Sequence, residues 1–274
     1  MKKDPRTNLN TSIIPKKSLG QNFLTSVAAV AHIVEAADIQ KNEIVLEIGP
    51  GKGVLTEKLL EAGAEVRAIE KDRRLIPILK EKFIKEMHDG RLKIIEGDVL
   101  EIPHTQIIDH KTSFKLIANI PYYITGMILR KFLTRELHPT QAVILIQKEV
   151  AQRIIARDKK ESILSLSVKA YGIPRIVSIV KAGSFFPKPQ VDSAILSINS
   201  ISGDFFSHFS EKSFFTLIHA GFAQKRKLLK RNLESVYKKE AIEISFAQNS
   251  IPLNARAEDL TLQTWKYLCK SLTH

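Results

Sequence analysis

A single cysteine, Cys269, in 274 residues leaves no partner for an intramolecular disulfide, which excludes a bridged secreted scaffold and points to a reducing compartment. No uninterrupted apolar run approaches the roughly 18 residues of a membrane-spanning helix. Behind the basic N-terminus, residues 4–18 lack the apolar core of a secretory signal, so a cytoplasmic protein is expected. Acidic residues are also short: 29 Asp and Glu stand against 42 Lys and Arg, a formal charge of +13. Such a surplus implies a polyanionic partner, usually nucleic acid, with an acidic membrane surface as the rival. Hydrophobic residues make up 44%, which excludes a disordered chain, and neither repeats nor low-complexity tracts occur.

The most informative stretch is Val45-Leu46-Glu47-Ile48-Gly49-Pro50-Gly51-Lys52-Gly53. Its apolar first half reads as a buried strand. Glycines at every second position then form a turn on which a ligand can lie against the backbone. From Val54 the period becomes helical through Leu55, Leu59 and Leu60, and Gly63 ends the helix. Strand, glycine loop and helix together grip a nucleotide or anionic ligand.

The chain before and after this stretch alternates helix and strand. A polar segment over residues 1–15 and a turn around Gln21-Asn22-Phe23-Leu24 precede a helix over 26–37. A second strand over 65–69 carries Glu70 at its carboxyl end, 17 residues after Gly53. That is close to the spacing of an acid that binds ribose hydroxyls, although a surface carboxylate paired with Lys71 or Arg73 would look the same. A helix over 77–85 leads to a third strand from Leu92, after which Asp98 is placed to accept from an exocyclic amine. The fourth strand, 114–118, runs into Asn119-Ile120-Pro121-Tyr122-Tyr123. Pro121 cannot extend the ladder, so the chain turns and frees the Asn119 side chain and nearby carbonyls as acceptors. Tyr122 adds an aromatic face, and the set suits a planar base bearing an amino group. A polar turn with two half-buried tyrosines is the alternative.

Helix 125–134, strand 141–146, helix 148–157, a charged loop at 158–161, helix 163–171 and strand 175–180 follow. A Phe/Pro loop, 184–193, leads to a last strand over 194–198, and its two prolines hold Phe185 or Phe186 in place. The polar cluster at 199–204 marks a domain boundary, giving domains 1–203 and 204–274. Beyond it no strand pattern recurs. A helix over 214–223 precedes a basic, leucine-spaced segment, 224–233, whose helical form would flank an apolar stripe with cations.

Together Gln21-Asn22-Phe23-Leu24, the glycine loop, Glu70, Asp98, Asn119 to Tyr123 and Phe185-Phe186-Pro187-Lys188-Pro189 resemble the rRNA adenine dimethyltransferases over about residues 16–265. Ala220-Gly221-Phe222-Ala223-Gln224-Lys225-Arg226-Lys227 and Arg256-Ala257-Glu258-Asp259-Leu260 resemble the small-subunit branch, the kasugamycin-sensitivity dimethyladenosine transferases. The resemblance implies an α/β, Rossmann-like sheet dependent on S-adenosylmethionine (SAM), with a small all-α C-terminal domain and no metal. It implies SAM contacts at Asn22, Leu24, Gly49, Glu70, Asp98 and Asn119, with Gly51 allowing close approach. Lys52 departs from the small apolar residue frequent in the family loop and must point outward. Asn119 and the Ile120 carbonyl would hold the acceptor amine, with Tyr122 and, by resemblance, Phe185 stacking on the base. Lys225, Arg226, Lys227, Lys230 and Arg231 would meet phosphates of small-subunit rRNA. The protein is expected to act as a monomer on the immature small ribosomal subunit. The rivals are the large-subunit enzymes that confer macrolide resistance, a DNA adenine methyltransferase, a nicotinamide dehydrogenase, and a non-catalytic RNA-binding relative.

Overall fold

Successive apolar strands joined by helical crossovers favour a parallel sheet covered on both faces. The computed structural model, which describes residues 13–109, 112–133 and 138–272, has this form over five strands and adds an antiparallel edge. Its strands are β1 (Phe23–Leu24), β2 (Ile44–Ile48), β3 (Glu65–Glu70), β4 (Leu92–Glu96), β5 (Lys115–Asn119), β6 (Gln141–Gln147), β7 (Ile173–Val180), β8 (Phe185–Phe186) and β9 (Ser193–Asn199). Seven of them form one sheet in the order β4-β3-β2-β5-β6-β9-β7. Strands β2 to β6 pair in parallel, while β9 runs antiparallel between β6 and β7. The order reverses between β2 and β5, which opens a crevice at their carboxyl ends.

Along the central strands, side chains alternate between two cores. Val45, Val66, Ile117, Val143 and Ile195 pack on one face, and Leu46, Leu116, Ile144 and Leu196 on the other. The first face is covered by α1 (Val27–Ala37), α2 (Val54–Glu61) and α3 (Ile76–Lys82). Helices α4 (Ile84–His88) and α5 (His104–Ile107) flank β4 in sequence, and α6 (Thr125–Phe132), α7 (Lys148–Ile154) and α8 (Ile163–Lys169) supply the second face. The C-terminal part holds α9 (Glu211–Gly221), α10 (Leu229–Leu233), α11 (Lys239–Gln248) and α12 (Leu262–Leu272).

Several boundaries differ from expectation. The helix expected over 77–85 is two helices broken at Phe83, whose ring fills the space where a Cβ on Gly53 would stand, 2.5 Å away. The basic segment is not one helix. Residues 222–227 form turns, and helix resumes only over the five residues of α10. Asn232 explains the stop: its side-chain amide donates to the carbonyls of Gly221 and Gln224 at 2.6 and 3.1 Å, holding the turn against the start of α10. Of the polar N-terminal segment, residues 1–12 lie outside the described residues, as does residue 134 of the helix expected over 125–134.

Candidate active site

The carboxyl ends of four neighbouring strands deliver the expected residues to one place. Gly49 to Gly53 follow β2, Glu70 ends β3, Asp98 lies just past β4, and Asn119 ends β5. With 19–25 and Phe185–Phe186, all of these but Gly53 line a cleft of about 610 Å³, within the range of small-molecule sites. Ile48, Val99, Leu100 and Ile120 give it apolar walls. Asn22, Leu24, Gly49, Gly51, Glu70, Asp98, Asn119, Ile120, Tyr122 and Phe185 all line it.

All three loop glycines have positive φ, at 72°, 60° and 74°, a region costly to other residues. Their steric surroundings differ. A Cβ on Gly51 would press on the Phe23 ring at 3.2 Å, and one on Gly53 would collide with Phe83. Gly53 is therefore a packing glycine, while Gly49 and Gly51 face the cleft. Lys52 is exposed, with its ammonium 5.4 Å from the centre of the Phe23 ring, and both residues line the cleft.

Glu70 is buried, and its two carboxylate oxygens accept from the backbone N–H groups of Gly51 at 3.1 Å and Asp72 at 2.8 Å. Burial pushes its carboxyl above the ordinary range, against the pull of those N–H bonds. Asp98 accepts from the Leu100 N–H at 2.9 Å and pairs with Lys71 at 2.6 Å. Burial opposes its ionisation, but the bonds from Lys71 and Leu100 prevail and hold it below the usual carboxylate range. Asn119 is half-buried, and no hydrogen bond to its side-chain amide occurs among the described residues. Tyr122 begins a short 3-10 turn after Pro121, and its hydroxyl is hydrogen-bonded to the buried Ser193 hydroxyl at 2.8 Å. Burial raises its phenol, against the Ser193 bond.

Phe185 and Phe186 separate cleanly. β8 pairs antiparallel with β1, placing Leu24 opposite Phe185 and Phe23 opposite Phe186. Phe185 is 5% exposed and belongs to a core cluster with Leu24, whereas Phe186 is 62% exposed. The basic residues lie elsewhere, in the turn after α9 and on α10. Lys225, Arg226 and Lys227 are exposed, while Lys230 pairs with Glu243 and Arg231 with Glu234.

Sequence reasoning missed four side chains at this site. Asp72 is 2% exposed and accepts from Gln21 at 2.8 Å and from Arg74, whose guanidinium holds the carboxyl far below its ordinary range. Lys71 holds Asp98, and Ser193 holds Tyr122. Asp72 stands two residues after Glu70 and Ser193 closes the Phe/Pro loop, so each lay beside a motif already recognised.

Comparison with known proteins gives the same answer from the whole chain. "Ribosomal RNA small subunit methyltransferase A" of Dehalococcoides mccartyi is 41% identical over 256 residues, 93% of this chain and 87% of that protein. The protein of the same description from Clostridium botulinum is 39% identical over 250 residues, 90% of each. Among solved structures, a dimethyladenosine transferase from Plasmodium falciparum superposes with a TM-score of 0.77 at 27% identity, covering 90% of this chain and 95% of that one. The 23S rRNA methyltransferase ErmE shares the fold, with a TM-score of 0.73 at 23% identity over 92% of this chain and all of that one. The family described as ribosomal RNA adenine dimethylase matches residues 14–274, which contain the glycine loop, both strand-end acids, the acceptor turn and the C-terminal helices: the chain is a methyltransferase that belongs to that family.

Proposed function

We propose that the protein dimethylates the exocyclic amines of two adjacent adenosines in a hairpin loop of small-subunit rRNA, with SAM as donor. The observation that carries the reading is the placement of Asn119 and Tyr122 in the wall of a nucleoside-sized cleft that also holds Glu70 and Asp98. The donor set fits SAM. Glu70 has lone pairs left for ribose hydroxyls beyond those used by Gly51 and Asp72, Asp98 suits an adenine amine, and the apolar walls suit a ring. When bound, SAM supplies an electrophilic methyl group on a sulfonium.

The protein's own task is positioning. An adenine amine is a weak nucleophile because its lone pair is delocalised into the ring. Acceptance of its two N–H groups by the Asn119 amide oxygen and the Ile120 carbonyl turns that lone pair toward the donor. No strong base is needed, because the product ammonium releases its proton readily to water. Tyr122, fixed by Ser193, offers a stacking face worth about 1–3 kcal/mol per base. Phe185 backs the same wall from the core, and the exposed Phe186 beside it is the freer ring. Residues 1–203 supply the chemistry and 204–274 the address, with Lys225, Arg226 and Lys227 meeting rRNA phosphates.

Two relatives named for the small subunit, at about 40% identity over most of the chain, support that substrate over the large subunit. The test is methyl transfer from labelled SAM to isolated small and large ribosomal subunits, followed by mapping of the modified base. Label on paired adenosines of small-subunit rRNA is expected. Label confined to large-subunit rRNA would overturn the substrate and leave the adenine chemistry standing.

A further inference from the structure

Residues 16–25 cross the cleft as a strap that meets the glycine loop, the acceptor turn and the β8 edge. The Phe23 ring packs where Gly51 has no side chain, and Lys52 lies over the same ring. A Cβ on Gly20 would meet Pro121 and Tyr123 at 3.1 Å, so the strap also lies against the acceptor turn. Its far end is fixed by the β1–β8 pairing and by Thr25, whose N–H and hydroxyl donate to the Ser184 carbonyl at 2.8 and 2.9 Å.

The near end is fixed by one carboxylate. Asp72 Oδ2 accepts from Gln21 Nε2 at 2.8 Å and from Arg74 at 2.7 Å, while Oδ1 accepts from the Arg74 Nε and N–H at 3.0 and 3.2 Å. Lys16 stands 4.0 Å away, and Arg74 reaches on to the Ile14 carbonyl at 3.2 Å. Gln21 closes the strap upon itself by accepting from the Lys16 N–H at 2.8 Å. The peptide N–H of Asp72 in turn donates to Glu70, which accepts from Gly51. A single run of bonds therefore joins the strap, Asp72, the strand-end acid and the glycine loop.

We propose that Asp72 is a positioning residue for the methyl donor: its carboxylate latches residues 16–25 over the cleft, while its peptide N–H holds Glu70 against the loop. Surface pairs contribute little, but this carboxylate is 1% exposed and hydrogen-bonded on both oxygens, where the loss of charge is felt strongly. The inference rests on the cleft being the SAM site.

Calorimetry of SAM binding in the absence of RNA tests it, together with amide hydrogen exchange. Asp72→Asn keeps the shape but turns an N–H₂ toward Gln21 or Arg74. It is expected to weaken SAM binding about 10- to 100-fold and to speed exchange over 16–25 while β6 stays protected. Asp72→Glu should recover part of the affinity. Gln21→Ala removes the bond to Asp72 and the acceptor of the Lys16 N–H, both at the strap's near end, so it should fold normally and weaken binding about 3- to 10-fold. SAM affinities within twofold of wild type in Asp72→Asn and Gln21→Ala overturn the proposal. So does faster exchange across the whole sheet with none selective to the strap, the signature of a structural residue. Failure of the wild-type protein to bind SAM would instead strike the reading of the cleft.

Discussion

Residue types at strand ends carry most of what this site is, and Asn119 among them and the buried Glu47 of β2 give separable predictions. Asn119→Ala removes the amide oxygen expected to hold the acceptor amine while leaving β5 and its pairing to β6 intact. Single-turnover methyl transfer at saturating SAM and RNA should fall about 100-fold or more, with SAM affinity changed by less than about tenfold. A near-normal single-turnover rate would refute the acceptor role. Glu47 makes a different case. It is 1% exposed, accepts from Thr56 at 2.6 Å, and its other oxygen has no partner among the described residues. Burial pushes its carboxyl up to about 8 from 4.5, against the Thr56 bond. A folded-state value above the unfolded one means that the folded protein holds the extra proton between these limits. Stability from this group is therefore present below about pH 4.5 and is lost as pH rises toward 8. Glu47→Gln should remove that loss, raising stability above pH 8 by at most about 5 kcal/mol and converging with wild type near pH 5. Thermal melts at pH 5, 7 and 8.5 check this, and equal melts throughout would contradict it. The identity of Glu47 is plain in the sequence, but its protonation depends on its burial beneath α2, which one strand cannot reveal.

Elements were legible where one periodicity ran uninterrupted. Strands β2, β3, β5 and β6 fall within a residue or two of their expected ends, because buried parallel strands are short apolar runs flanked by turns. The β1–β8 ribbon was invisible for the opposite reason. Each strand has two residues, too short for any period, and the pairing joins positions more than 150 residues apart. Its consequence for the site is large, since it buries Phe185 and exposes Phe186 in a run of two identical side chains. The basic segment shows another limit. Leucines spaced among cations read as an amphipathic helix, yet Asn232 caps the preceding turn from within the segment. The result divides the five cations. Lys225, Arg226 and Lys227 stand exposed on the turn, whereas Lys230 and Arg231 already face Glu243 and Glu234. Replacing the first three by alanine should flatten the log–log salt dependence of rRNA binding by about 2–3 units, and SAM affinity should not change. Replacing Lys230 and Arg231 should flatten it by less than about 1, because their carboxylate partners compete with phosphate. Equal slopes for the two sets, measured by filter binding across a salt series, would remove the distinction.

At the scale of the whole molecule, the composition shift at 199–204 marks where the sheet ends, at Asn199, but not where packing ends. One cluster of buried side chains includes Leu46, Ile144, Phe132 and Leu166 from the sheet and its helices, and Phe214, Leu217, Phe246 and Trp265 from the C-terminal part. Tyr171 and Phe206 carry the join, with ring centres 5.1 Å apart, and Phe206 is edge-on to Phe205 at the same distance. Composition reports a change in element type, whereas continuity of the core depends on which faces meet, and no local window contains both. The catalytic and address functions proposed for the two parts can still differ while their stability is shared. Each fully buried Phe or Leu contributes roughly 1.5–3 kcal/mol, so removing residues 204–274 should strip several such contacts from the helical face of the sheet. The full chain should unfold in a single transition by calorimetry, with equal calorimetric and van't Hoff enthalpies. A fragment of residues 1–203 should melt at least about 10 °C lower and bind a hydrophobic dye before melting. Two resolved transitions in the full chain, the first matching the melting temperature of the isolated fragment, would show instead that the two parts fold as separate units and that the shared core contributes little.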